Sequence, residues 1–371
     1  DLRLPVLLAL LCVALFPVAR FWPNAAPWRG LGLPVLLSAL VGSLADWIGC
    51  NAREGAWLAI VWGYALWSGG NLLLPRWNGR WPGWTVDPAL WPLLGLASVL
   101  GGGTVGVLDG VLSLAGLLAM LALYLFLLLR NTAWPGMAWL AVATLTASGL
   151  LASGALEWSW WGRGHDQSAT IRGCIVALVE LNLLFLLVPL WRRHGQRLAR
   201  GLRWRQFDLE PPLFWTPFAV LILLLARLLL VEAGGLLSDG AFLLERSVWA
   251  LTGLALLLAA TAGHAFRLRS EPLTVQVLLA ALGATMLAAL LDLDVPLVGL
   301  PLAVALWDGA LLLAWRYGPR RWQVWRSALN GWLTVLPVAS LGLLPLVAES
   351  RWTVCTATLL ALAAAMLARG W

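Results

Sequence analysis

The chain has 371 residues, of which 61% are hydrophobic and only 12% charged, with a mean hydropathy of +0.84. A soluble domain carries roughly 25% charged residues, so there is too little polar surface here to coat a soluble fold of this length. The net charge of +7 comes from 25 arginines without a lysine, and these sit in short loops between apolar runs rather than on one soluble face, which excludes nucleic-acid binding.

A bilayer core of about 30 Å calls for about 20 apolar residues per helix. Thirteen runs approach that length: residues 4–19, 31–48, 55–74, 88–102, 104–129, 134–155, 171–191, 212–232, 246–264, 272–291, 296–315, 328–348 and 353–370. They are continuous rather than alternating, and Leu and Ala dominate, which predicts helices and not barrel strands. The expected fold is all-α, a polytopic integral membrane bundle of about 13 transmembrane helices (12–14), forming a single transmembrane domain over 1–371. Residues 4–19 lack a following small-residue cleavage site and read as a retained helix. Residues 88–102 are short and end in Gly101-Gly102-Gly103, which reads as a span or a re-entrant hairpin.

One segment fixes the expected topology. Trp191 to Glu210 holds six arginines between two apolar runs, and positively charged loops collect on the cytoplasmic side. With this loop inside, most other arginines also fall inside, while Glu54, Glu157, Asp166, Asp239, Asp292, Asp294 and Glu349 fall outside. The expected location is a bacterial-type inner membrane. The same assignment places Asp1 outside and points to a missing upstream helix. Many tryptophans then lie near the two interfaces, as in an aromatic belt. Within the loop, Trp191, Leu198 and Leu202 share one helical face and Arg193, Arg197 and Arg200 the opposite one. That predicts a short amphipathic helix within the basic loop 192–210, lying along the inner membrane surface. Its Arg192, Arg193, Arg197 and Arg200 would meet anionic lipid headgroups or a partner subunit.

Charges inside a membrane are costly and mark functional positions. Asp109, Glu180, Arg227 and Asp308 are the candidates for a substrate or ion path. Glu180 and Arg227 lie on neighbouring antiparallel helices at similar depth, which predicts an ion pair. Asp109 stands beside Gly102, Gly106 and Gly110, a spacing that suits close helix contact or a broken transporter helix; a hydrated place near the outer surface fits it equally. Outside, Glu157, Arg163, His165 and Asp166 accompany three tryptophans, a combination able to hold sugars or lipid-linked glycans.

Catalytic templates are lacking: the chain has no HExxH, P-loop, GxGxxG or GxSxG segment. The cysteines show no metal spacing, so neither metal nor cofactor is expected, though Cys50, Cys174 and Cys355 fall near outer helix ends where one disulfide could form. Three classes of function follow. A transporter or flippase for a small solute or lipid-linked substrate fits the helix number and the buried charges. A non-catalytic module or scaffold subunit of a larger protein or complex fits the short loops. A glycan- or lipid-modifying enzyme fits only the 157–166 loop, and an enzyme is the least favoured.

Overall fold

A computed structural model of the chain describes residues 3–21, 26–78, 90–132, 134–154, 167–204, 208–239, 250–293, 300–317 and 323–343. Among the described residues every regular element is helical and none is a strand. The helices are α1 (Arg3–Phe21), α2 (Ala26–Ile48), α3 (Ala52–Ser68), α4 (Leu74–Asn78), α5 (Leu90–Leu108), α6 (Leu114–Leu128) and α7 (Gly136–Ala152), followed by α8 (Gln167–Gly201), α9 (Glu210–Asp239), α10 (Ala250–Leu268), α11 (Pro272–Asp292), α12 (Leu300–Tyr317) and α13 (Gln323–Leu343). A π turn, Gly69–Leu73, joins α3 to α4 without a break, so twelve continuous helical rods are present among the described residues.

Six helices are long and apolar enough to cross a membrane: Ala52–Arg76, Leu90–Leu108, Arg172–Gly201, Glu210–Leu229, Leu251–Leu268 and Pro272–Leu290. The expected count of about 13 spans is thus reduced to twelve helices with six clear candidates, and the run 353–370 lies outside the described residues. Length accounts for part of the difference. At 1.5 Å per residue the 15 residues of α6 rise only about 22 Å, short of the hydrocarbon core. The run 88–102 is not a re-entrant hairpin but the larger part of the continuous 19-residue helix α5.

Two expected boundaries also move. The three glycines at 101–103 do not end a helix; α5 runs on to Leu108 and stops where Gly110 adopts φ +68°. There Val111 N–H donates to the Gly106 carbonyl and Gly110 N–H to that of Val107, a Schellman cap that needs a residue in the left-handed region. The basic segment after Trp191 forms no separate surface helix either. It continues α8 as one 35-residue helix, closed by a second Schellman cap in which Arg203, at φ +55°, takes the position usually given to glycine.

The chain divides into two compact units, Asp1–Ala152 with Arg193–Pro212, and Ser153–Arg192 with Leu213–Trp371. In the first, α3 packs against α5 through small residues: a methyl added at Gly63 would stand 2.5 Å from the Gly95 carbonyl oxygen, and one at Gly102 2.8 Å from that of Ala56. Tyr124, fully buried, donates to the Pro92 carbonyl (2.7 Å), and Tyr64 meets it edge-on at 5.3 Å while donating to the Met120 carbonyl. These hydroxyls satisfy themselves on helix carbonyls, as polar groups in an apolar interior must. In the second unit Val275, Leu279, Leu311, Ala328, Leu329 and Leu333 from α11, α12 and α13 form one core. Phe185 of α8 packs on Phe214 of α9 at 5.7 Å.

Candidate functional site

The second unit brings together three polar side chains from two apolar helices. Asn182 on α8 donates through Nδ2 to the Leu178 carbonyl (2.9 Å) and to Thr261 Oγ1 on α10 (2.8 Å). A carbonyl can only accept, so these bonds fix which end of the amide is nitrogen. The remaining Oδ1 lies 3.0 Å from His264 Nδ1; since Oδ1 is an acceptor, Nδ1 carries the proton. The neutral ring is therefore held as the Nδ1–H tautomer with a bare Nε2. Phe185 packs edge-on against it at 5.8 Å. Arg192 donates to the Leu268 carbonyl at the end of α10 (3.3 Å). Arg269 stacks over Phe214 and Trp215 (5.3 and 5.7 Å) and pairs with Glu271 at 3.4 Å. The sequence shows Asn182 and His264 as isolated residues 82 apart, and Thr261 as one hydroxyl among many. No local pattern signals their meeting.

Asp308 is the most deeply buried acid among the described residues. Its side chain is 2% exposed, and Oδ1 is fully buried with no hydrogen-bond partner. It lies mid-way along α12, one turn before Leu311 of the three-helix core. Arg326, on α13, also has a buried and unbonded Nε, yet the two are not joined.

Glu180 is half-buried on α8. No ion pair links it to Arg227, contrary to the expectation from depth. The reason is angular: Phe185, which meets α9, lies five residues on, about 140° round the helix. Glu180 instead shares its side of α8 with the exposed Val176, Leu183 and Leu187. Arg227 is buried on α9, within electrostatic reach of the Cys174 thiol.

Asp109 is exposed in the turn after α5, next to the Gly110 cap, and so lies at a helix end rather than within one. Arg193, Arg197 and Arg200 are exposed along the end of α8, as is Arg192. Glu157, Arg163, His165 and Asp166 lie outside the described residues. Cys12, Cys50 and Cys174 are free thiols, so Cys50 and Cys174 are not bridged; Cys355 lies outside the described residues.

The first unit holds two further features. At the π turn, Asn71 donates to the Trp67 carbonyl, while its Oδ1 accepts from Asn131 Nδ2 (2.8 Å) and its carbonyl from Arg130 (3.2 Å). A π turn leaves helix carbonyls without their usual partners and often marks a functional place; here Arg130 supplies one. A cavity of about 440 Å³ lies between the ends of α2, α3 and α5, with Asp46, Cys50 and Asn51 at its polar edge and Ala56, Ala59 and Gly102 on its apolar wall. Among the described residues no three His, Cys, Asp or Glu side chains gather as metal ligands would.

No protein family, curated protein or solved structure matches the chain. Its class therefore rests on its own architecture, an all-helical chain whose six long apolar helices indicate a membrane protein.

Proposed function

We propose that the chain is a multi-pass inner-membrane transporter or flippase for a small solute or lipid-linked substrate, with Asp308 as its coupling carboxyl and the arginine-rich segment 192–210 in the cytoplasm. The observation that supports this reading is Asp308 Oδ1, buried and unbonded in the middle of α12. An ionised carboxylate taken out of water loses several kcal/mol of hydration, and no cation of the described residues repays it. Such a group holds a proton or an incoming cation, and a site that must gain and lose its counter-charge is what coupled transport needs. A purely structural acid would be expected to carry a fixed partner, as Arg269 and Glu271 provide for one another.

Dicyclohexylcarbodiimide, which attacks protonated carboxyls in apolar surroundings, tests the assignment in proteoliposomes. Labelling of Asp308 that rises as the pH falls, and that vanishes in Asp308→Asn, is the expected result. Sodium protects it if the site takes a metal cation. Proton entry into vesicles carrying a pH dye should likewise be lost in Asp308→Asn. An Asp308 that stays unlabelled at every pH, in a protein whose proton flux is unchanged by the substitution, removes it from any coupling step.

The second reading, a membrane module or scaffold subunit, is favoured by a different observation: Glu180 is only half-buried, beside the exposed Val176 and Leu183 of α8, rather than enclosed in the unit. The enzyme reading rests on residues 157–166, outside the described residues.

A further inference from the structure

The cavity between the ends of α2, α3 and α5 opens beside a tight helix crossing. At Gly102, on its apolar wall, a methyl would stand 2.6 Å from the Ala59 Cβ, so α3 and α5 touch there. At Gly55 and Gly101, which also line it, a methyl would meet nothing within 4 Å. Its volume of about 440 Å³ falls in the roughly 300–1,000 Å³ range of small-molecule sites. Apart from Asp46, Cys50 and Asn51 at one edge, every described lining residue is Gly, Ala or Val. Walls of that kind give water no hydrogen bonds, and they belong chiefly to two candidate spans, Ala52–Arg76 and Leu90–Leu108. An occupant of the apolar part is therefore a molecule that dissolves in the bilayer.

The polar edge is built by two caps. α2 closes in a Schellman motif with Gly49 at φ +80°: Cys50 N–H donates to the Ala45 carbonyl and Gly49 N–H to that of Asp46, both at 3.0 Å. Asn51 opens α3 in a capping box, its Oδ1 accepting from Glu54 N–H while Glu54 Oε2 accepts from Asn51 N–H. Glu54 is thereby engaged in the cap and, like Arg53, does not line the cavity. Asp46 carries the only charge among the described lining residues, and among the described residues its carboxylate has neither a hydrogen bond nor an ion pair. It stands in the last turn of α2, where the helix C-terminus adds partial negative charge. The edge is thus set for a cation.

We propose that this cavity binds an amphiphilic ammonium ion, a primary amine on a slender alkyl body. The ammonium donates N–H to the Asp46 carboxylate at the edge, a charge-assisted bond, and the chain lies against Ala56, Ala59 and Gly102. Slenderness follows from the walls, since Gly and Ala leave a narrow slot rather than a broad bowl. The sign of charge follows from Asp46: a fatty acid or a phosphate ester would bring a second anion to the same edge and be repelled. Cys50, a partly exposed free thiol, lines that edge and reports whether it is covered. The site lies in the first unit and Asp308 in the second, so binding here stands apart from the transport reading.

The experiment follows Cys50 in liposomes, in a chain whose Cys12, Cys174 and Cys355 are replaced by alanine. Dodecylamine, charged at pH 7, should slow the reaction of Cys50 with N-ethylmaleimide about fivefold once it reaches about four times its dissociation constant. Dodecanol, equal in length but neutral, should change the rate less than about twofold. Asp46→Asn should raise the half-protecting amine concentration about tenfold, while Asp46→Glu keeps it within about threefold. A second readout needs no thiol: a dodecylamine carrying a diazirine on its chain should, on illumination, attach to residues 52–59 and 101–105. Gly101→Leu, which fills open space without a clash, should abolish those adducts. Equal protection by dodecanol, an unchanged half-protecting concentration in Asp46→Asn, or adducts spread evenly onto lipid-facing residues such as Leu223, 67% exposed on α9, would each overturn the site.

Discussion

Asn182 shows what a polar residue needs in order to persist in this chain. Between its two donors and one acceptor it bonds Leu178, Thr261 and His264, and Thr261 in turn donates to the Leu257 carbonyl (2.8 Å). Removing one member leaves another stranded in an apolar interior, where water cannot replace it. Asn182→Ala strips His264 Nδ1–H of its acceptor, and the loss should be about 1–2 kcal/mol, the upper part of the range for interhelical bonds in membranes. Thr261→Val takes one acceptor from Asn182 Nδ2, which keeps its bond to the Leu178 carbonyl, and so costs less, about 0.5 kcal/mol. Thermal unfolding in detergent, followed by the loss of the monodisperse chromatographic peak, ranks the two. Nitrogen-15 spectra of His264 give a separate check: the Nδ1–H tautomer is expected in the parent and a mixture of tautomers in Asn182→Ala.

At the scale of elements, the glycines of α5 explain why one boundary was hidden in the sequence. Three consecutive glycines read as a break because, in water, glycine weakens a helix. In a close helix crossing it does the reverse, since the missing side chain lets backbones approach. Gly102 is such a residue: a methyl there would stand 2.6 Å from the Ala59 Cβ, whereas one at Gly101 meets nothing within 4 Å. Neighbouring substitutions should therefore differ in sign. Gly102→Ala forces α3 and α5 apart at a cost of about 1–3 kcal/mol, while Gly101→Ala gains up to about 1 kcal/mol from helix propensity. The same unfolding measurement separates them, and equal effects would mean that α3 and α5 do not cross at this point. The true stop, the Gly110 cap, carries no stronger signal than any other glycine; only its positive φ identifies it. The 35-residue length of α8 was equally hard to read, because arginines continue a helix as readily as they end a membrane span.

For the molecule as a whole, apolar run length conveyed the all-helical class and most helix centres, since hydropathy and helical hydrogen bonding act locally. Pairings between distant residues, such as Asn182 with His264 or Asn71 with Asn131, depend on which helices become neighbours, and a single sequence holds no record of that. Sidedness is a third kind of property, set by loop charge, and it can be tested without knowing the substrate. Between Cys50, at the turn that follows α2, and Arg200, near the end of α8, the candidate spans are Ala52–Arg76, Leu90–Leu108 and Arg172–Gly201. The shorter helices α6 and α7 pack against each other. If both cross, five spans separate the two positions; if neither does, three. Either number is odd, which predicts Cys50 and residue 200 on opposite sides, with residue 200 expected on the cytoplasmic one by the positive-inside rule. Cys50 is a partly exposed free thiol, whereas Cys12 and Cys174 are buried. With Cys355 replaced by serine, a membrane-impermeant maleimide applied to spheroplasts should label Cys50 directly. With Cys50 also replaced, a cysteine at Arg200 should react only after permeabilisation. The inverse pattern reverses the orientation of the chain. Labelling of both from outside would mean that an even number of spans separates them, so that one of the three long helices does not cross or only one of α6 and α7 does.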